Sequence, residues 1–340
     1  MIRLALDCFG GDHSPEANIG GALIALDEYP DLSLVLTGDG EMIKKALEGK
    51  KYDASRLEIL HAPEVIGCDE TPTIAIRQKK ESSLMKAVEL IRSDDSLHGI
   101  VTIGSTGALV AAATLRLGRI AGVKRPAFCP ILPTMAGGIV GVCDSGANVD
   151  ITPLMLCQFA VMGSLYLKSA YGLEAPRAAL LNIGVEEEKG DELRKAAYPM
   201  LKQMPNVNFV GNMESRDLLS GKYDLVLTDG FAGNVLIKST EGACLEMLKK
   251  LKKDIYSRTI NKIGALLMKK MFAEEKRFMD YRNYGGSVLL GCRKIVVKGH
   301  GSSNDIAVSK CIGQAYRMQA ADLVSRIGEE IISVDGRGKE

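Results

Sequence analysis

The fold class predicted for this chain is a three-layer α/β/α domain, and three observations predict it. Short apolar runs recur along the 340 residues. Most lack alternation, which marks strands buried on both faces. Each leads into glycine with small polar residues and then a helix-like stretch, the rhythm of βα units around a largely parallel sheet.

The elements follow in order. Arg3–Asp7 runs into Gly10-Gly11-Asp12-His13, where Ser14 and Pro15 read as N-cap and first helical residue. Leu32–Leu36 leads into Gly38-Asp39-Gly40. Thr71-Pro72 starts a helix whose Arg77, Lys79 and Lys80, followed by Ser82-Ser83, make a basic patch. Such a patch is ordinarily a solvated face, though this one suits an acidic partner. Gly99–Ile103 leads into Gly104-Ser105-Thr106-Gly107, and Gly138–Val142 into Asp144-Ser145-Gly146-Ala147-Asn148. From Ile151 to Leu167 no residue is charged, close to the minimum for a membrane span. Pro153, Gln158, Gly163 and Ser164 within it, and the Thr152-Pro153 start, point to a helix buried in the fold or at a subunit contact. Ala178–Leu181 leads into Asn182-Ile183-Gly184, Leu225–Leu227 into Thr228-Asp229-Gly230, and Lys294–Val297 into Gly299-His300-Gly301-Ser302-Ser303.

No low-complexity linker divides the chain, so residues 1–340 are expected to form a single domain. Residues 239–283 break the βα rhythm with an all-helical excursion. Between Lys249 and Arg277 ten Lys or Arg stand against three acids, a surplus of seven. The whole chain carries +1, so the remainder is about −6.

Composition narrows the function. Hydrophobic residues at 46% and charged residues at 25% describe a folded globular protein. A near-zero net charge, with no stripe of aromatic and basic residues, excludes nucleic acid as the expected partner. Eight cysteines lie singly from Cys8 to Cys311, without a C-x-x-C pair. This is the pattern of reduced, mostly buried thiols in a cytosolic protein. Asp7 comes too early for a signal-peptide core.

Two nucleotide signatures are missing: G-x-x-x-x-G-K-[ST], and G-x-G-x-x-G after the first strand. The glycine turns are instead anion sites in character, because glycine lets backbone N–H groups approach a ligand. Lys298-Gly299-His300-Gly301-Ser302-Ser303-Asn304 is the strongest, with two hydroxyls and an imidazole. Its plain reading is a strand-to-helix turn capped by Ser303. Asp229, in Thr228-Asp229-Gly230-Phe231-Ala232-Gly233-Asn234, can orient a nucleophile, accept a proton or bind a cation, or simply cap a helix. Asp12 and His13 exceed what capping needs. Four histidines without close Cys or Asp partners exclude a structural zinc site as the expectation. The acidic segment from Asn182 through Lys189-Gly190 reads by default as a solvated loop.

Taken together, these motifs resemble the bacterial phosphate acyltransferases, the PlsX family. The matching stretches are Leu6-Asp7-Cys8-Phe9-Gly10-Gly11-Asp12-His13-Ser14-Pro15-Glu16, Gly104-Ser105-Thr106-Gly107-Ala108 and Asp144-Ser145-Gly146-Ala147-Asn148-Val149-Asp150. Leu181-Asn182-Ile183-Gly184 with Lys189-Gly190, Thr228 to Asn234 and His300-Gly301-Ser302-Ser303-Asn304 complete the set, in order across almost the whole chain. Cys8, Phe9 and Ser105 depart mildly from the family pattern. The resemblance implies a mixed, mostly parallel sheet similar to the isocitrate/isopropylmalate dehydrogenase and phosphotransacetylase folds. It implies transfer of an acyl group from acyl carrier protein to phosphate, with no metal or organic cofactor, by a homodimer. The acyl phosphate would feed a membrane glycerol-3-phosphate acyltransferase.

On that reading Asp229, His300 and Asn234 are the expected catalytic residues. Gly10, Gly11, Asp12, His13, Gly104, Ser105, Thr106, Asn182, Lys189, Gly230, Gly301, Ser302 and Ser303 are the expected phosphate or substrate contacts. The rivals are an acyl-CoA phosphotransacetylase, a decarboxylating dehydrogenase and a non-catalytic carrier-protein or membrane adaptor. In the excursion Ile263, Leu266, Leu267 and Met271 sit among Arg258, Lys262, Lys269 and Lys270, which suits the surface of an anionic membrane at the inner face of the cell. Cys244, Met247, Leu248, Leu251 and Ile255 recur at helical spacing and suit another helix or a second subunit.

Overall fold

The computed structural model describes residues 1–278 and 284–335, with the side chains of 276, 277 and 333–335 left out. In chain order the elements are β1 (Ile2–Asp7), α1 (Glu16–Glu28), β2 (Leu32–Gly38), α2 (Gly40–Leu47), β3 (Leu57–His61), α3 (Pro72–Gln78) and α4 (Ser83–Ser93). They continue with β4 (Leu97–Thr102), α5 (Thr106–Ala112), β5 (Ala127–Cys129), β6 (Ile131–Pro133), β7 (Ile139–Cys143), α6 (Pro153–Tyr171), β8 (Ala178–Asn182), α7 (Glu192–Lys202) and β9 (Phe209–Glu214). The remainder are β10 (Leu225–Leu227), α8 (Gly230–Ser257), α9 (Thr259–Leu267), α10 (Lys269–Phe278), β11 (Ser287–Leu290), β12 (Ile295–Lys298), α11 (Asp305–Ala320) and α12 (Leu323–Asp335).

Two sheets result. The first has the order β3-β2-β1-β4-β12-β11-β5, and the second β6-β7-β10-β8-β9. In the first, β3, β2, β1, β4 and β12 run parallel, while β11 is antiparallel to both β12 and β5. In the second, only β6 is antiparallel. The chain passes between sheets at Pro130, which separates β5 from β6.

Strand parity explains the layers, because successive side chains point to opposite faces. Leu4, Leu6, Leu34, Leu36 and Val297 face one way and share a core with Leu180 and Leu227 of the second sheet. Ala5, Val35, Ile100 and Val296 face the other way, against Met85, Val88 and Ile91 of α4. The uncharged segment becomes α6, with Phe159, Met162, Tyr166 and Leu167 fully buried between the two sheets' packing surfaces. A helix apolar on all sides belongs in such a core. Thr152 caps it, accepting from the Met155 N–H at 3.4 Å, and buried Gln158 accepts from the Lys124 N–H at 2.8 Å. No helix among the described residues is long and apolar enough to cross a membrane.

Two expected helix starts move by one residue. Ser14 donates to the Gly11 carbonyl at 3.0 Å instead of capping, and α1 begins after Pro15. Ser303 donates to the His300 carbonyl at 2.6 Å, while Asn304 caps α11 through the Ala307 N–H at 3.0 Å. Both hydroxyls bond back into the glycine turn, which displaces them from the cap. The helix expected to carry the basic patch ends at Gln78, so Lys79 and Lys80 lie in the turn before α4.

The helical excursion is all helix over its described part. Of α8 only Gly230, Gly233, Leu236 and Ile237 are buried, and α9 has no buried residue. Residues 279–283, the last of the predicted excursion, lie outside the described residues.

Candidate active site

A cleft of about 620 Å³ opens where the carboxyl ends of strands from both sheets meet. The first sheet contributes Ile103–Gly107 after β4 and Lys298–Gly301 after β12. The second contributes Pro130–Leu132, Ser145 and Gly146, and the first turns of α8 through Asn234, Ile237, Lys238 and Glu241. Cys68, Glu70 and Pro72, where the chain enters α3, and Phe128 with Gly285–Ser287 also line it. Such a position, beyond strand ends and between two sheets, is where open α/β folds hold ligands.

Glycine makes this convergence sterically feasible. A Cβ at Gly10 would stand 2.3 Å from the Gly104 nitrogen, so the turns after β1 and β4 touch because Gly10 lacks a side chain. At Gly11, φ is +92° and a Cβ would lie 2.9 Å from the Gly301 oxygen. The Asp12 N–H donates to that same oxygen at 2.8 Å. Gly10, Gly11 and the Asp12 N–H therefore brace the two cleft turns from behind, and none of Gly10, Gly11, Asp12 and His13 lines the cleft.

Among the expected contacts, Gly104, Ser105, Thr106, His300, Gly301 and Asn234 come together on the cleft wall. Ser105 caps α5 by accepting from the Ala108 N–H at 3.4 Å. The His300 Nδ1 lies 2.9 Å from the Ser302 Oγ and accepts from the Ser302 N–H at 3.3 Å. A neutral ring so engaged carries its proton on Nε2. Burial, and then the charges of Lys298 and Lys238, hold His300 below its ordinary imidazole value, which favours that neutral ring.

The other expected residues fall elsewhere. Asp229 caps α8, its Oδ1 accepting from the Ala232 N–H at 2.8 Å, while Oδ2 accepts from Arg194 Nη2 at 2.8 Å. Both oxygens are thus taken by protein donors, and Asp229 does not line the cleft. Gly230 lets α8 start against the loop after β7: its N–H donates to the Asn148 carbonyl at 2.7 Å. Asn182 accepts from the Ile183 N–H at 2.8 Å and donates to the Lys189 carbonyl at 3.0 Å, closing its own loop at the end of β8. The exposed Lys189 side chain does not line the cleft, nor do Ser302 and Ser303.

The sequence reading gave no site role to Asp7, Thr102, Lys298 or Arg194, although Asp7 and Lys298 stand inside stretches it singled out. The first three end β1, β4 and β12, paired side by side as Asp7↔Thr102 and Thr102↔Lys298. A polar residue closing an apolar strand was their visible signal, but strand adjacency is not readable along the chain. The buried Thr102 hydroxyl donates to Asp7 Oδ2 at 2.7 Å and accepts from the Gly104 N–H at 3.1 Å. Burial pushes the Asp7 carboxyl above its usual value. Arg194 is nearly buried and ties Leu181, Asp191 and Asp229 together. The cleft's apolar wall of Ile103, Phe128, Ile131, Leu132 and Ile237 also comes from segments far apart in sequence. No group of His, Cys, Asp or Glu suited to a metal ion occurs among the described residues.

Comparisons with known proteins follow the same lines. The chain is similar to phosphate acyltransferases of Clostridium perfringens (strain SM101 / Type A), 41% identical with 97% of each chain covered. It is also similar to those of Brevibacillus brevis, 43% identical with 95% of each covered, and Bacillus cereus (strain B4264), 43% identical with 96% of this chain and 97% of the other covered. Among solved structures, a phosphotransacetylase from Streptococcus pyogenes superposes with a TM-score of 0.61 at 15% identity, covering 95% of this chain and 94% of that one. The EutD phosphotransacetylase of Staphylococcus aureus gives 0.57 at 14% identity, covering 94% of each. These two share the mixed, mostly parallel α/β/α fold. The family model described as "Fatty acid synthesis protein" matches residues 2–326, and with relatives of that identity along nearly its full length the chain belongs to this fatty acid synthesis protein family.

Proposed function

We propose that this chain transfers a fatty acyl group from acyl carrier protein to inorganic phosphate, releasing acyl phosphate for phospholipid synthesis. The observation that carries this reading is the cleft itself. Glycine turns rich in N–H and hydroxyl donors meet there on one side, and an apolar wall of Phe128, Ile131, Leu132 and Ile237 stands on the other. The relatives named phosphate acyltransferase support it.

Phosphate near neutral pH is largely a dianion, so a strong base is unnecessary. A phosphate oxygen attacks the thioester carbonyl carbon, and the carbon–sulfur bond breaks as the carrier thiolate leaves and takes up a proton. Holding phosphate against that carbon supplies several kcal/mol, about 7–11 in well-oriented reactions. One aimed oxyanion donor contributes about 10²–10³ in rate. His300 through Nε2–H and Asn234 through its amide are our donors, with Ser105 and Thr106 as further contacts. Asp229 acts through α8, holding the first turn that presents Asn234. The test is to incubate the protein with acyl-[acyl carrier protein] and phosphate and trap acyl phosphate with hydroxylamine. Acyl release that persists without phosphate, or that requires a nicotinamide, overturns the reading.

We also propose that α9 and α10 contact an anionic membrane surface and that the apolar stripe of α8 packs against a second subunit. Leu266 and Leu267 are 69% and 84% exposed, with Ile263 and Met271 beside them. Apolar residues ringed by Arg258, Lys262, Lys269 and Lys270 bind an anionic interface through both terms. Peripheral attachment at the inner face of the cell membrane would place product near a membrane glycerol-3-phosphate acyltransferase.

A further inference from the structure

The cleft has an asymmetry in its charges. Two lysines line it, Lys238 and Lys298. Lys238 is ion-paired with Glu241 at 3.2 Å, and the wall's other acid, Glu70, pairs with Lys79 at 2.8 Å. Lys298 has no such partner among the described ion pairs. Its half-buried ammonium donates to the carbonyl oxygens of Ile103, at 3.2 Å, and Gly299. An ammonium has three N–H donors, and carbonyl partners leave its charge unneutralised.

Behind it the strand ends form a polar row. Asp7, Thr102 and Lys298 are neighbours in register across β1, β4 and β12. The Asp7 carboxylate is buried and spoken for, by the Thr102 hydroxyl at 2.7 Å and the Phe9 N–H at 3.2 Å. Among the described residues no ion pair joins it to Lys298, whose hydrogen bonds go to carbonyls. Thr102 also receives the Gly104 N–H, fixing the turn against which Lys298 leans. A cation held at the wall by neutral carbonyls is preorganised for an anion entering the cleft, and charge-assisted hydrogen bonds are the stronger kind.

We propose that Lys298 is the cation that binds inorganic phosphate in this cleft, with Thr102 and Asp7 as positioning residues that hold it and the Gly104 turn in place. This rests on the phosphate acyltransferase reading and names the phosphate subsite within it. Lys298→Met removes the charge at similar length. The measurements are KM for phosphate, KM for acyl-[acyl carrier protein], and the rise in Tm with added inorganic phosphate in the absence of acyl donor. A lost contact of this type raises the phosphate KM at least about tenfold, while the acyl-donor KM stays within about twofold and the phosphate-dependent rise in Tm disappears. Should Lys298→Met fail to fold, Lys298→Gln, whose amide still reaches a carbonyl, carries the same expectation. Thr102→Val should raise the phosphate KM by about threefold with little change in kcat, and Thr102→Ser should restore it; no change with valine removes the positioning role. A phosphate KM within twofold of wild type in the lysine variants overturns the proposal, as does a shift confined to the acyl-donor KM. If the wild type itself forms no acyl phosphate, the activity reading fails, and the phosphate-dependent rise in Tm still decides whether Lys298 binds the anion.

Discussion

Asp229→Ala separates capping from chemistry at the residue whose sequence position is most ambiguous. The substitution removes the α8 cap, a loss of about 0.5–2 kcal/mol. It also removes one partner of Arg194, in an ion pair whose side chains are only 10% and 13% exposed. Breaking a buried pair costs about 3–5 kcal/mol, but Arg194 keeps Asp191 at 2.7 Å and the Leu181 carbonyl at 2.7 Å. The pair therefore belongs below that range, and the sum is about 3 kcal/mol. At the low end of about 2–4 °C per kcal/mol, Tm should fall by about 6 °C. Asp229→Asn restores the cap but not the ion pair, so it should recover about a third of the loss. Turnover, measured by hydroxylamine trapping well below Tm, should fall less than tenfold, because Asp229 does not line the cleft. A Tm within 1 °C of wild type, together with a drop in kcat of about 10²–10⁴ as expected for a lost general base, would refute this reasoning.

Four further predictions follow. His300→Ala should lower turnover at least about tenfold with an unchanged Tm at pH 8, the range of a lost oxyanion donor; normal turnover makes His300 a structural residue. Because the folded pKa of His300 lies below its ordinary 6.5, the unfolded chain binds more protons near that pH. Stability contributed by the neutral ring is present above pH 6.5 and lost as pH falls through it, so His300→Asn should flatten the stability profile below pH 6.5, and parallel profiles would contradict this. Gly10→Ala drives a Cβ to 2.3 Å from the Gly104 backbone and should cost about 1–3 kcal/mol and depress turnover together, read by urea midpoint and assay; a variant with wild-type values shows the turns to be separable. Leu266→Glu with Leu267→Glu should release the protein from anionic vesicles while activity without vesicles persists, since burying carboxylates in an interface is costly; equal vesicle binding sinks the membrane contact, and loss of folding places these residues in a core.

Several features of this protein follow from sequence alone because their causes are local. Apolar runs such as Leu32–Leu36 and Leu225–Leu227, short and closed by glycine turns, read as buried strands, and they are β2 and β10. Thr152-Pro153 starts α6 because a hydroxyl and a fixed φ act within one turn. Strands such as β3, half-exposed at a sheet edge, and the three-residue β5 and β6 lack that signal, since their pairing partners define them. The glycine turns after β4 and β12 were legible as donor-rich turns at strand ends, and they line the cleft. What the turn after β10 does was not legible. Asp229 before a glycine reads identically as cap or base, and only Arg194, 35 residues away, occupies its second oxygen. Likewise Gly10 and Gly11 read along the chain as ligand contacts, and only the tertiary structure shows them packed against the backbone of residues 104 and 301. Lys298 heads the turn the sequence singled out, but its place beside Thr102 and Asp7 is set by strand order, which places β12 next to β4 across almost two hundred residues. Capping, burial and periodicity act over one or two turns of chain and are written in the residues themselves. Which charges share a wall depends on sheet order, and that is decided only when the whole core packs.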